Sequence, residues 1–213
     1  MKNIILLLLS VCFTTNKLVA QDIQSLFLAM PDSITPLLTD VNKADFIDFK
    51  ESKMEAKVQN RFFKSSIMKS LSKDYICIEM SENSMWEMKL LPYKDSFVIG
   101  VLETVRLPMK DSKLTLYDID WNQLPTVQFH PSFHLASFTD AKVLADNKIT
   151  NSELTAIELH SYYYKFNENN NQLIVVFTGL DYLPKELKDR LDKAFNYTLT
   201  YSWKEDSFYL SKE

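Results

Sequence analysis

The sequence predicts an α+β fold, with short N-terminal helices packed on antiparallel sheet in two helix-plus-meander halves or one continuous unit. Three observations carry this. Apolar residues recur at helical spacing between residues 22 and 50, and the period drops to two from about Asp74. A single helical stretch at 184–195 then interrupts a second set of strand-like runs.

The chain opens with IILLLLSVCF at 4–13, behind a positive Lys2. These are the charged start and apolar run of a secretory signal peptide, with small Ala20 at the expected cut. The run is about ten residues, half of the roughly twenty that cross a bilayer, and no later segment comes close, so no transmembrane segment is expected. Leu9-Ser10-Val11-Cys12 is similar to a bacterial lipobox, although Val11 stands where a small residue belongs. Cleavage after Ala20 into the periplasm or to the cell surface is the main expectation, and a lipid anchor at Cys12 the lesser one.

Next, Ile23, Leu26, Phe27 and Met30 fall at helical spacing until Pro31-Asp32-Ser33 ends the segment. Ile34, Leu37, Leu38 and Val41 continue that period, with Pro36 placed in a first turn. Asn42 is the expected cap of a third piece, with Phe46, Ile47 and Phe49 inward and Asp45, Asp48 and Glu51 on a wet face. From Asp74, Ile76, Ile78 and Met80 alternate with Tyr75, Cys77 and Glu79. Trp86, Met88 and Leu90 alternate with Met85, Glu87 and Lys89, and runs at 97–105 and 113–118 follow. Four strands with short connections make an antiparallel meander with one apolar and one mixed face. Lys, Asp and Ser build the turns, as in Lys94-Asp95-Ser96.

Residues 119–152, with Pro125 and Pro131, read as a connection holding at most short strands. Runs at 154–166 and 172–178 read as a hairpin, 184–195 as a helix with Leu187, Leu191 and Phe195 on one face, and 198–203 and 207–211 as closing strands. The expected organisation is a signal peptide at 1–20, helices plus a four-stranded meander at 21–125, and a second sheet block with one C-terminal helix at 126–213.

Composition excludes several classes. The chain carries 24 basic and 28 acidic residues, and loss of residues 1–20 removes two more lysines and no acid. An acidic chain without a basic run is a poor partner for nucleic acid. Cys77 would be the one cysteine left, so no internal disulfide can form. Its apolar neighbours mark it as a buried, inert thiol. There are two glycines, Gly100 and Gly179, where average usage of ~7% would give about fifteen. No P-loop, Rossmann fingerprint or esterase elbow can be written from them, and no cofactor is expected.

His130 and His134 have the spacing that joins two ligands on a helix. Pro131 makes the segment extended, which sets them about 13 Å apart, so neither a metal site nor a catalytic residue is assigned. Asp118 and Asp120 beside Trp121 form a carboxylate pair next to a sugar-sized aromatic, or simply a strand-end turn. In Tyr162-Tyr163-Tyr164 at least one ring faces solvent if the run is a strand. Trp86, Asp118, Asp120, Trp121 and Tyr163 are therefore the ligand-contact candidates.

Met30-Pro31-Asp32-Ser33, Ile47-Asp48-Phe49, Met54-Glu55-Ala56-Lys57-Val58, Asn60-Arg61-Phe62 and Trp86-Glu87-Met88-Lys89-Leu90-Leu91-Pro92 resemble an exported Bacteroidetes family, the domain of unknown function 3256. The resemblance covers the first half and reaches Trp121 and Pro125; the second half is similar in element order. It implies a Gram-negative envelope setting and brings no activity or site residues. The layout is also similar, by analogy, to the beta-lactamase-inhibitor-protein-like fold. Without a catalytic constellation and with 13% aromatic residues, the expected function is an exported, non-enzymatic module that binds an envelope protein or glycan. The competing reading is a small envelope hydrolase using carboxylates such as Asp118 and Asp120.

Overall fold

The computed structural model describes residues 22–106, 109–125, 129–155, 157 and 162–211; the expected signal peptide, Ala20 and Cys12 lie outside them. Helix α1 (Ile23–Leu28) starts at Asp22, whose carboxylate accepts the Ser25 N–H at 2.7 Å. The expected second helix is instead a series of turns at 32–37. Pro36 pushes Thr35 out of the helical region, which stops propagation. Helix α2 (Asp40–Glu51) is capped by Thr39, not by Asn42. Thr39 Oγ1 accepts the Asn42 N–H and Asn42 Oδ1 accepts the Thr39 N–H, both at 3.1 Å, which closes a reciprocal capping box. Thr39→Ala is expected to cost about 1 kcal/mol in urea unfolding. A midpoint equal to the parent's would show the box to be idle. Lys43 is buried, and its ammonium donates to Met30 O at 2.6 Å while pairing with Asp40 at 2.8 Å, which locks α2 to the end of α1.

Six strands follow as one antiparallel meander: β1 (Lys57–Gln59), β2 (Ser65–Leu71), β3 (Tyr75–Ser81), β4 (Ser84–Tyr93), β5 (Ser96–Val105) and β6 (Asp111–Tyr117). Two more strands are present than the alternation predicts. The β2–β3 register shifts between Met68 and Ser70, and that irregularity erases the period-two pattern. With glycine scarce, Lys94 and Glu205 take the left-handed turn positions.

One face of this sheet packs Ile76, Ile78, Met88, Leu90, Ile99 and Val101 against Ile23, Phe27, Leu38 and Phe46. The other face, expected to be mixed, is buried as well. Tyr75, Cys77, Leu91, Val98, Leu102, Leu114 and Leu116 meet a second antiparallel sheet there. That sheet has the order β10-β9-β8-β7, from β7 (Tyr162–Phe166), β8 (Gln172–Phe177), β9 (Thr198–Lys204) and β10 (Ser207–Leu210). Gly100 is required by close approach: a Cβ there would lie 2.7 Å from Phe166 Cζ. The layers are thus helices, six-stranded sheet, four-stranded sheet.

The connection between the sheets, expected to hold at most short strands, holds short helices: a 3₁₀ turn at Leu135–Phe138, α3 (Ala141–Asp146) and α4 (Asn151–Thr155). Helix α4 takes the start of the run read as a strand from 154. Thr150 and Glu153 cap it, with the Thr150 N–H donating to Glu153 Oε2 at 2.8 Å and the Glu153 N–H to Thr150 Oγ1 at 3.3 Å. Helix α5 (Lys185–Leu191) and a 3₁₀ turn to Ala194 join β8 to β9, and Arg190 pairs with Glu153 at 2.7 Å.

Candidate functional site

Asp118 and Trp121 belong to one turn after β6. Asp118 Oδ1 accepts the N–H groups of Asp120 and Asn122, both at 2.9 Å, and Oδ2 accepts Asn122 Nδ2 at 3.0 Å. Burial pushes against the charged form, but the Asn122 side chain and these backbone bonds outweigh it and hold the carboxyl below its ordinary value. The turn places Trp121 in the left-handed region and buries its ring, whose indole N–H donates to Leu26 O at 3.1 Å. Asp120 is exposed. In this geometry Asp118 shapes a turn that closes the core under α1.

His130 is half-buried with Nε2 at 3.1 Å from Leu114 O, and burial holds its imidazole below the ordinary value. The segment 131–134 is neither helix nor strand, and His134, in extended backbone, is exposed. Both line a cleft of about 580 Å³ with Phe133, Tyr162 and Tyr164. Among the described residues, no three His, Cys, Asp or Glu side chains converge as a metal cluster.

Tyr163, half-buried on β7, has the Lys110 ammonium 4.7 Å from its ring centroid. It lines a groove of about 230 Å³ with Glu87, Arg106, Lys110 and Lys165. At the groove floor begins a polar seam between the sheets that the sequence did not disclose. Glu87 Oε2 accepts the Phe166 N–H of β7 at 3.0 Å. Burial pushes this carboxyl up to about 7 against the opposing pull of Phe166, Tyr75 and Lys165. Lys89, fully buried, pairs with Asp74 at 3.0 Å and donates to Glu168 O at 3.0 Å. Burial, then the neighbouring Glu87, pushes the Cys77 thiol up to about 11, so it stays protonated and unreactive. The ionisable groups of the seam hold the β7–β8 hairpin onto the larger sheet.

A second feature lay outside the expected candidates: the β1–β2 hairpin tip at 60–64. Asn60, 4% exposed, donates from Nδ2 to Ser66 Oγ at 3.0 Å and to Met80 O at 3.3 Å. Its Oδ1 accepts the Phe62 and Lys64 N–H groups at 3.0 and 3.2 Å. The Arg61 N–H donates to Leu37 O at 2.9 Å, and the Arg61 guanidinium pairs with Asp32. This framework holds Phe62 and Phe63 in solvent at 67% and 80% exposure, with Phe63 in the left-handed region at φ 58°. An Asn two residues before a backbone N–H is a turn signal that could have marked the site.

Trp86 projects from β4 on the helix side, 2% exposed, with its ring centroid 5.8 Å from that of Phe27. It lines a slot of about 150 Å³ between the 34–37 turn and the ends of β4 and β5, at Met85, Thr104 and Val105. The structure therefore brings Asp118 and Trp121 together, and sets Trp86 and Tyr163 at separate places. No described helix is long and apolar enough to cross a membrane.

Residues 15–208 match the model of a family described as protein of unknown function (DUF3256). No curated protein matches the chain. Among solved structures, a domain of an uncharacterized protein from Porphyromonas gingivalis W83 is similar, with a TM-score of 0.75 and 22% identity, over 89% of this chain and 98% of that one. At that identity the likeness shows the fold.

Proposed function

We propose that this chain, which belongs to the DUF3256 family, is an exported, non-enzymatic interaction module of the bacterial cell envelope that docks a partner protein through its 60–64 hairpin tip. The observation that carries the reading is the pair Phe62 and Phe63, held in solvent by the buried Asn60. Adjacent exposed phenylalanines gain nothing for the isolated fold, and a non-glycine residue in the left-handed region costs about 1–3 kcal/mol and persists only where its surroundings enforce it. Aromatic side chains fixed before binding lose little entropy on docking and fill apolar pockets of a partner. Phenylalanine has no polar group with which to read sugar hydroxyls, which favours protein over glycan.

The test compares the parent with Phe62→Ala/Phe63→Ala in crosslinking within the envelope fraction of cells that make the protein. Surface changes of this kind shift stability within about 0.5 kcal/mol, so unfolding curves should overlay. One discrete partner protein is expected to crosslink to the parent and to fall roughly thirtyfold with the double variant, the loss of a hot spot worth about 2 kcal/mol. Equal capture by both proteins, or none by either, overturns the reading.

A further inference from the structure

The 60–64 tip stands at the end of a sheet face on which Lys57 and Ser65 are exposed and Ile67 is half-buried. Lys57, Ile67, Glu79, Met85 and Thr104 lie opposite one another in succession across β1 to β5, as one row of side chains on that face. The first three line a groove of about 600 Å³ together with Phe63, Lys64 and Glu82. The last two line the groove of about 230 Å³ that holds Arg106, Lys110, Tyr163 and Lys165. Glu79 joins the two, since its carboxylate pairs with Lys69 at 3.4 Å and with Arg106 at 3.9 Å. The grooves therefore form one trough from Phe63 to Tyr163. Four strand spacings of about 4.8 Å make its floor about 19 Å long, the reach of roughly six extended residues.

The charge of this trough runs against that of the chain, which holds 28 acidic and 24 basic residues. Lys57, Lys64, Arg106, Lys110 and Lys165 line it, against Glu79, Glu82 and Glu87. Glu79 is already taken by two cations, and buried Glu87 accepts the Phe166 N–H. Lys57, Lys64, Lys110 and Lys165 are exposed and make no ion pair among the described residues. Between them, half-buried Ile67 and Met85 give the floor an apolar character.

We propose that this trough seats an extended, acidic segment of the partner protein, about six residues long, whose carboxylates meet the four lysines while the apolar side chains between them rest on Ile67 and Met85. The inference deepens the docking role of the tip and rests on it: Phe63 closes one end, so a segment lying in the trough is continuous with what the phenylalanines touch. An extended chain turns successive side chains to opposite sides, which lets acidic and apolar groups meet wall and floor in turn. A basic segment would set its cations beside unpaired lysines, and such like-charge contacts oppose docking.

Two measurements test it. In the envelope crosslinking assay, Lys57→Glu/Lys64→Glu/Lys110→Glu keeps both phenylalanines and should lower capture of the partner about tenfold. Lys57→Arg/Lys64→Arg/Lys110→Arg should capture as the parent does. All three positions are exposed, so unfolding curves should overlay. Capture that falls with Phe62→Ala/Phe63→Ala but not with the glutamate variant overturns the trough and leaves the tip's docking role standing. Undiminished capture with both, or none with the parent, overturns both. The second measurement needs no partner: an end-blocked hexapeptide alternating glutamate with valine is titrated into the protein at low ionic strength while amide resonances are followed. Shifts should saturate at Ile67, Glu79, Met85 and Tyr163, fade as salt is raised past about 0.15 M, and vanish in the glutamate variant. The same peptide with lysine in place of glutamate should cause none. No saturating shift along this row, or an equal response to the two peptides, overturns the proposal.

Discussion

Between about pH 5 and pH 8 the protein is expected to lose about 3 kcal/mol of stability, and Glu87→Gln is expected to remove most of that loss. Glu87 holds its proton up to about 7 in the folded state, against an ordinary value of 4.5, because burial disfavours the carboxylate. An unfolded chain gives up the same proton near 4.5. Across that window the unfolded state binds fewer protons than the folded one, so stability falls as pH rises. The contribution is intact below about 4.5 and gone above about 7. Glutamine keeps an oxygen for the Phe166 N–H and carries no charge to desolvate. Asp22, Asp40 and Glu153, each lowered first by hydrogen bonds at helix starts or to Lys43, act at more acid pH. His130, lowered by burial, gains stability as pH rises through its own window; it is common to parent and variant and cancels in their difference. Urea unfolding of both proteins at three pH values measures the effect. Parallel profiles would show that Glu87 does not titrate in this window.

That carboxyl illustrates which parts of the molecule the sequence could and could not disclose. β3 to β5 and β8 to β10 were legible to within two or three residues because their apolar periods are unbroken; the helix read at 184–195 is α5 only to Leu191, with a 3₁₀ turn over Asp192–Ala194. β2 was hidden by its register shift, and the 32–37 turns were mistaken for a helix because Pro36 allows the spacing but not the conformation. The capping box at Thr150–Glu153 was a local signal for α4 that the apolar run after it masked. The polar members of β3 and β4 were visible, but not what covers them. The bonds Glu87–Phe166 and Lys89–Glu168 each join residues 79 apart in sequence, and no local pattern encodes them. Among the site residues, the Asp118 turn was readable from Asp118-Ile119-Asp120-Trp121-Asn122. Trp86 could be named as an aromatic on a strand; its packing against Phe27 joins residues far apart in sequence.

Asn60→Ala is expected to cost about 3 kcal/mol and to abolish partner capture while Phe62 and Phe63 are both still present. The side chain makes four hydrogen bonds. Two of them meet the buried Ser66 hydroxyl and Met80 carbonyl, where a lost donor cannot be replaced by water without opening the hairpin. The two backbone N–H groups it accepts lie nearer solvent, so their loss costs less energy and more shape. Only the tip's backbone bonds, from the Phe63 N–H to Asn60 O at 2.9 Å and from the Asn60 N–H to Lys64 O at 2.8 Å, are then left to hold Phe63 in the left-handed region. Asn60→Asp separates these contributions: its carboxylate still accepts from Phe62 and Lys64, but cannot donate to Ser66 or Met80. It should therefore be destabilised about as much as the alanine variant while keeping part of the docking geometry. Amide exchange at 61–64 should accelerate in Asn60→Ala well beyond the change in global stability. The disturbance should also reach the Trp86 slot, because the Leu37 carbonyl in its wall hangs on the Arg61 N–H. If Asn60→Ala captures the partner as the parent does, the rigid presentation of the two phenylalanines is not what the partner reads.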